Sequence, residues 1–320
     1  MTDIQWEGFS SDALSAAGVI YFLALISHLF EWASQRNSTV GKGVTSDDET
    51  RRTAMARIIG TTLTAFGLVA HLASLVGRGM AADPNRVPWG NMYEFAVAGT
   101  FFMVLIYLVT MKKFRLVWMA PWLLIFVTAV LMIAAIWLYK PISPLTEALD
   151  SYWLVIHVVS AVIATAAFSI GGILVALWLV KNRAEKKAAA NGVELTGYLA
   201  RIPDVKTLDR ISYRMHAFGF PVWTFAVLIT GPIWAHEAWS RYWNWDPKEV
   251  WAFITWVVYA AYLHARTTAG MRGKVAAILA LIGMATLWWS FIGVNFFSTT
   301  SVHSYAEGAA ELTTIESLTR

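Results

Sequence analysis

Seven histidines and no cysteine are the residues of this chain that bear most directly on metal chemistry. Neutral imidazole is a common ligand of transition metals, whereas the missing cysteine excludes thiolate sites, disulfides and a nucleophilic thiol. A histidine within an apolar segment is costly and therefore suggests a functional site. A hydrogen bond to a neighbouring helix explains a single such histidine about as well.

Tryptophans form a second group, concentrated between Gly231 and Trp256 in GPIWAHEAWSRYWNWDPKEVWAFITW. Six tryptophans lie in this segment, and Trp223 precedes it. An interfacial helix, with aromatic residues toward lipid and charges toward water, explains some of them but not their density. Arg241 and Lys248 lie among them and suit either lipid phosphates or the carboxylates of a bound molecule.

The end of this segment also has a structural explanation. Asp246 suits the N-cap of a helix, Pro247 its first position and Glu249 the third, which together predict a capping box. Asp246 is therefore a weaker candidate for ligand contact than the tryptophans before it. The candidate contact surface for a flat, apolar molecule consists of Trp234, Trp239, Trp243 and Trp245.

The elements that must position these residues are membrane spans. Of the 320 residues, 57% are hydrophobic and only 14% are charged, well below the usual charged fraction of a soluble domain. The apolar residues fall into runs of about 20, the length that crosses a bilayer as a helix. We therefore predict an all-α bundle of about eight transmembrane helices, forming a single integral membrane domain over residues 1–320. The predicted spans are about 13–33, 56–77, 93–111, 116–138, 152–180, 215–235, 249–266 and 275–297.

The distribution of basic residues predicts the orientation. Of the 25 Lys and Arg residues, 19 lie in 34–57, 111–115, 181–214 and 266–274, which the positive-inside rule places in the cytoplasm. Both termini and the tryptophan-rich segment 235–248 are then external, and 36–55 and 181–210 are cytoplasmic loops. This pattern explains the net charge of +4 without a nucleic-acid partner.

The predicted topology places His157 and His303 on the external side with the tryptophan segment, and His264 toward the cytoplasm. No thiolate or carboxylate cluster accompanies the external pair. Two imidazoles suit the axial positions of a haem iron, whereas a zinc site would use three or four ligands. Tryptophan faces supply an apolar stacking surface for the porphyrin, and Arg241 and Lys248 suit its propionates.

Four segments resemble, in order, motifs of the haem-handling protein family that carries the WWD signature. They are PWGNMYEF (88–95), SYWLVIHVV (151–159), the segment 219–266 with WNWDPKEVW, and VNFFSTTSVHSY (294–305). The resemblance spans roughly residues 60 to 305. Within the family, the number of spans and the end of the chain after the second external histidine resemble the CcsA/ResC type of cytochrome c biogenesis System II, rather than the CcmC or CcmF types.

The resemblance implies that haem b is brought to the outer face of the membrane. There, with a CcsB/ResB-like membrane partner, it would be presented for attachment to the CxxCH motif of apocytochrome c, with a thioredoxin-like thiol reductant acting indirectly. His157 and His303 would be the axial ligands at the external site. His264 would bind a second haem within the membrane, opposite a ligand from the partner. The location implied is the bacterial plasma membrane, or the thylakoid membrane for some members.

Two alternatives remain open on these residues. One is a haem transporter or chaperone that hands haem to a separate acceptor, as the CcmC type does. The other is a respiratory electron-transfer subunit whose haems stay bound during turnover. No residue resembles a dedicated acid, base or nucleophile, so catalysis in a cytochrome c synthase complex would come from positioning.

Overall fold

The computed structural model describes residues 1–34, 47–142, 151–268, 271 and 273–298, with only the backbone described at 47–50. Most of these described residues are helical, and none of them forms a strand. A short 3-10 turn, Val117–Met119, leads into the fourth helix. The helices are α1 (Asp3–Ser34), α2 (Asp47–Met80), α3 (Met92–Phe114), α4 (Ala120–Ile133), α5 (Tyr152–Ala190), α6 (Tyr198–Arg201), α7 (Val205–Thr224), α8 (Gly231–Trp239), α9 (Pro247–Thr267), α10 (Lys274–Trp288) and α11 (Val294–Phe297).

The helices confirm the predicted all-α polytopic bundle. Within the described residues, seven helical segments are long and apolar enough to cross a membrane. They correspond to the predicted spans except 249–266. That span is a helix, α9, and its 21 residues extend about 31 Å, but its Trp and Tyr residues and the polar residues near its two ends lower its mean hydropathy.

Three helices continue into π-helical turns at the end of the bundle predicted to be external. These turns are Ala134–Leu138, Phe225–Thr230 and Trp289–Gly293. The second joins α7 to α8 in one continuous helical segment, and the third joins α10 to α11. A π-turn shifts the register of the backbone carbonyls and is frequent at functional sites.

α5 lies at the centre of the bundle and is the most deeply buried of the candidate spans. It packs along α7 and also contacts α3 and α10, while α1 packs on α2 and α9 on α10. Gly171 and Gly172 permit this arrangement through close packing rather than through a kink, since α5 is continuous there. A Cβ on Gly171 would collide with the His216 ring, and one on Gly172 with the Met284 sulfur.

The connection predicted as a cytoplasmic loop at 181–210 is more ordered than a polar linker. α5 continues to Ala190, α6 forms one turn, and α7 begins at Val205 after an N-cap by Asp204. Lys181 anchors this region, because its ammonium donates to the carbonyl of Ile202 at 2.7 Å. Charged residues can extend a helix beyond the bilayer once water replaces lipid around it.

Candidate haem-binding site

A cavity of about 160 Å³ lies at the predicted external end of the bundle, beside the loop that joins α8 to α9. Residues from α5, α7, α8, α9, this loop and the π-turns contribute to its wall. The aromatic and polar residues that line it are His157, Trp223, Trp234, Tyr242, Trp243, Lys248, Glu249 and Ser290. Four of the predicted site residues, His157, Trp234, Trp243 and Lys248, thus line one space.

The orientation of His157 is set by a backbone carbonyl. Its Nδ1 lies 2.9 Å from the carbonyl oxygen of Ala226 in the π-turn. Because a carbonyl only accepts, Nδ1 carries the proton and the lone pair of the ring is on Nε2. Metal-binding histidines are typically oriented in this way by a hydrogen bond at the other nitrogen. Ala226 also accepts from the Thr230 hydroxyl at 3.1 Å and from the Gly231 amide, which shows how the π-turn concentrates donors on this oxygen.

The ring of His157 stacks on Trp234, with centroids 5.8 Å apart and planes 13° from parallel. Trp234 is only 2% exposed, and Trp239 packs edge-on against it at 4.9 Å. Ser151, which caps the start of α5, also hydrogen-bonds Glu237 of α8. The start of α5 is therefore tied to α8, and this tie positions the histidine against the tryptophan.

Trp243 and Trp245 differ in their surroundings although only one residue separates them. Trp243 is half-buried and lines the cavity, and its buried indole N–H has no acceptor among the described residues. Trp245 is 72% exposed and packs edge-on against Trp243 at 5.9 Å. Arg241 is exposed and does not line the cavity. Trp243 is thus the member of the loop whose donor suits a bound carboxylate.

The predicted capping box is present at the start of α9. Asp246 accepts from the amide of Lys248 at 2.8 Å, and Glu249 accepts from the amides of Asp246 and Asn244 at 3.1 and 2.8 Å. Asp246 is 4% exposed. The two carboxylates thereby fix the loop that carries Trp243, so Asp246 acts on the site through loop geometry.

Lys248 is a cationic residue that lines this cavity, and it precedes the predicted seventh span. Burial lowers the pKa of its ammonium group to about 7, an effect that the nearby Asp246 carboxylate partly offsets. A second, apolar cavity of about 170 Å³ lies between α3, α4, α5 and α10. Four residues line both cavities: Lys248, Trp223, Ala161 and Ser290. The lysine therefore lies between two cavities whose walls are both mainly apolar.

His264 lies far from this cavity, near the other end of α9. It is seventeen residues after Pro247, or about 26 Å along the helix. Its side chain is exposed. The structure thus does not bring His264 to His157, in agreement with their predicted placement at two different depths. His303, the predicted opposite ligand of His157, lies outside the described residues.

The remaining histidines have intramolecular contacts. Three of them are buried, and each forms a hydrogen bond through Nδ1. His28 bonds to Glu31, and His71 bonds to the Tyr21 hydroxyl. His216 bonds to the backbone carbonyl of Ser212. His236 is exposed and stacks on Tyr242 at 4.3 Å. These contacts are those expected of histidines that serve helix packing.

A buried ion-pair cluster beside the site was not predicted from the sequence. Glu94 is 1% exposed, and its carboxylate pairs with Arg78 at 2.9 Å and with Arg86 at 2.8 Å. Asn91 caps α3 at this point, and its side chain accepts from the Glu94 amide. The cluster holds the segment that carries Trp89, which packs in the same apolar cluster as Trp234. In the sequence, Arg78 and Arg86, which precede PWGNMYEF, are the feature from which this ion-pair cluster could have been predicted.

Comparison with known proteins identifies the family. Residues 89–301 match the family model described as Cytochrome C assembly protein. The chain belongs to this family. It is 41% identical over 173 residues to the cytochrome c biogenesis protein CcsA of Guillardia theta, covering 51% of this chain and 57% of that protein. It is 32% identical over 272 residues to CcsA of Synechococcus sp. (strain JA-3-3Ab), covering 70% and 78%.

The first of these alignments spans a little more than half the length of the Guillardia protein. Among solved structures, one described as Cytochrome c Heme Lyase CcmF matches with a TM-score of 0.62 and 16% identity, covering 91% of this chain and 47% of that one. At this identity the similarity shows a shared fold alone. The cytochrome c assembly match begins at Trp89 and contains His157, the tryptophan segment and His264.

Proposed function

We propose that this member of the cytochrome c assembly family holds haem b at the external end of the bundle and presents it to apocytochrome c. The observation that carries the proposal is the orientation of His157. Its Nδ1–H is bound to the Ala226 carbonyl, and its ring stacks on Trp234 in a cavity with aromatic walls. An imidazole fixed through Nδ1 is prepared to bind iron through Nε2.

The other residues of the cavity suit the remaining parts of haem. The faces of Trp223 and Trp234 offer apolar contact to the ring. The indole N–H of Trp243 and the ammonium of Lys248 suit the propionates, since both are donors lining the same space. His303, predicted from the family resemblance, would supply the opposite axial ligand. Haem is the substrate here, and these residues bind and orient it.

The attachment reaction needs little acid or base chemistry from this chain. Each thiol of an apocytochrome CxxCH motif adds its S–H across one vinyl group, so atoms and electrons balance without an oxidant. The chain must then hold the ring with its vinyl edge accessible, and the apocytochrome histidine must replace one axial ligand. Positioning of this kind is a sufficient source of rate enhancement.

The first test is the absorption spectrum of the protein purified with its CcsB/ResB-like partner. We expect a bis-histidine haem spectrum that His157→Ala reduces by about tenfold or more in haem content. His236→Ala is the matched control, because His236 is also at the external end but does not line the cavity. A spectrum unchanged by His157→Ala in a folded, monodisperse preparation would contradict the proposal.

His264 supports a second binding site shared with the membrane partner. Its exposed side chain near the cytoplasmic end of α9 could meet a ligand from another protein in the bilayer. We expect His264→Ala to lower haem content only in the complex with the partner. Equal haem content in the His264→Ala and unmodified complexes would contradict the proposed second site.

The family resemblance implies that the protein is located in the bacterial plasma membrane or a thylakoid membrane.

Complementation separates attachment from simple transport. In a host that lacks its own maturation system, this protein and its partner should together produce a reporter c-type cytochrome with covalent haem. Haem bound by the complex without covalent attachment would instead favour a transporter or chaperone. Haem that is reduced and reoxidised by quinol without leaving the protein would favour a respiratory subunit.

A further inference from the structure

A third and larger cavity, of about 820 Å³, lies at the predicted cytoplasmic end of the bundle. The ends of α1 and α3, the start of α2, the turn before α4, and α6 surround it. Among the described residues that line it, four are cationic, Arg57, Lys112, Arg115 and Arg201, and one is a carboxylate, Glu31. We propose that this cavity binds the phosphate of an anionic phospholipid in the cytoplasmic leaflet.

The depth of the cavity favours a lipid over a soluble ligand. Its wall includes, from each of the first four predicted spans, one residue at or next to a span end. These residues are Ala33, Arg57, Met111 and Val117. These residues are therefore at the level of the lipid headgroups. Basic pockets between helices on this side of a membrane suit anionic headgroups, because the cytoplasmic leaflet carries the negative lipids.

Within the described residues, few anions accompany the cations Arg57, Lys112 and Arg115 of this cavity. Glu31 is shared between the His28 ring at 3.2 Å and the Arg57 guanidinium at 3.7 Å. Lys112 and Arg115 are exposed, and the structure shows no ion pair for either within the residues it describes. A phosphate would supply an anion for Lys112 and Arg115, and guanidinium binds phosphate with two parallel hydrogen bonds.

Aromatic rings form another part of the wall. Trp32 and Tyr198 lie with centroids 4.0 Å apart, and the indole N–H of Trp122 donates to the Tyr198 hydroxyl at 2.8 Å. Trp118 lines the cavity, and its buried indole N–H has no acceptor in the described part of the chain. A buried donor without an acceptor is costly, so a phosphate or ester oxygen near Trp118 would relieve that cost. Rings of this kind are typical at headgroup depth.

This cavity is distinct in chemistry from the site of His157. No histidine is among the described residues that line it, whereas His157 lines the other site. The proposal therefore does not depend on the proposed function. Lipid binding is measured without haem, so its failure would leave the assignment of His157 unchanged.

Arg115 offers a variant that removes charge without strain. It ends α3 with a φ of 54°, in the left-handed region, where asparagine is more favourable than arginine. Arg115→Asn should therefore keep or raise stability, and Lys112→Gln changes an exposed helix residue. Arg183→Gln is the matched control, because Arg183 is exposed on the cytoplasmic part of α5 and does not line the cavity.

Native mass spectrometry of the full chain, titrated with phosphatidylglycerol or phosphatidylcholine, tests the proposal. We expect one tightly held phosphatidylglycerol and a weaker, non-saturating response to phosphatidylcholine. Each charge removed at Lys112 and Arg115 should weaken phosphatidylglycerol binding on the order of fivefold, and Arg183→Gln should leave it unchanged.

Three results would overturn it. Equal retention of the two lipids would show no headgroup recognition. An equal loss in Arg183→Gln would show only a general effect of surface charge. Displacement of the lipid by soluble ATP or pyrophosphate, at concentrations near their own binding, would show that the cavity recognises soluble phosphates instead.

Discussion

His157 and Trp234 lie face to face, 5.8 Å apart between ring centroids and 13° from parallel. The two residues come from different helices and are 77 positions apart in the chain. A separate contact holds each ring. The Ala226 carbonyl orients the His157 ring, and Trp239 packs against the Trp234 ring. The stacked pair is therefore the part of the site on which small changes in packing should act most strongly.

Gly231→Ala should weaken haem binding although every candidate ligand is retained. A Cβ at Gly231 would lie 3.2 Å from Cε1 and Nδ1 of His157 and 3.0 Å from the Ala226 oxygen. The ring would then be displaced by a few tenths of an ångström from its carbonyl, and complete loss of such an orienting contact, on the order of 10–100-fold in metal affinity, is the upper bound of the effect. Haem content and the Soret maximum measure the effect. Gly18→Ala, in open space on α1, is the control and should leave both unchanged.

Asp246→Ala should destabilise the start of α9, whereas Asp246→Ser should not. Loss of an N-cap costs about 0.5–2 kcal/mol, and serine caps a helix about as well as aspartate. If Asp246 contributes only as a cap, haem content should fall in the alanine variant and return in the serine variant. Haem loss in both variants, with the thermal stability of Asp246→Ser intact, would instead assign the carboxylate a direct role.

Glu94→Gln should strongly destabilise the predicted external end of the bundle. Removing the carboxylate leaves Arg78 and Arg86 without their shared counter-charge, and breaking such a buried pair costs about 3–5 kcal/mol. Thermal unfolding in detergent measures the loss. Glu194→Gln is the control, because Glu194 is exposed in the connection before α6. Similar midpoints for the two variants would show that the cluster is not a structural support.

The stability effect of Lys248→Met should depend on pH. Burial lowers the pKa of Lys248 to about 7, below its ordinary value of 10.5, so the unfolded chain binds this proton more tightly than the folded one does. The resulting destabilisation is complete below pH 7 and is lost as pH rises toward 10.5. Lys248→Met should therefore stabilise most at pH 6–7 and progressively less up to pH 9.5. Thermal midpoints across this range, compared with the exposed Lys187→Met, measure it. A gain in thermal stability from Lys248→Met that does not change with pH would contradict the lowered pKa of Lys248.

The helical architecture could be predicted because it depends on local composition. Apolar runs of about 20 residues must form helices in a bilayer, since the backbone cannot hydrogen-bond to lipid. The capping box at Asp246 and Glu249 was predictable for the same reason, because all of its partners lie within a few residues. Seven of the eight predicted spans also meet a hydropathy criterion, and α9 is present as a helix.

The candidate site was predictable in part. The sequence indicated His157 and the tryptophan segment, but it did not distinguish Trp243, which lines the cavity, from Trp245, which is exposed. It also omitted Tyr242 and Ser290, which line the cavity. The pairing of Glu94 with Arg78 and Arg86 was missed because these contacts depend on how α2, α3 and their connection pack. The axial role of His303 stays a prediction.

The sequence by itself determined that this protein is a helical membrane protein with the motifs of cytochrome c assembly proteins, because length, hydropathy and motif order are properties of the chain. Only the tertiary structure decided which side chains meet. The Ala226 carbonyl reaches His157 because a π-turn changes the register of one helix where it crosses another. The basic cavity at the other end likewise exists only because separate helices end at the same depth. Contacts between distant residues follow from packing, and no local pattern encodes them.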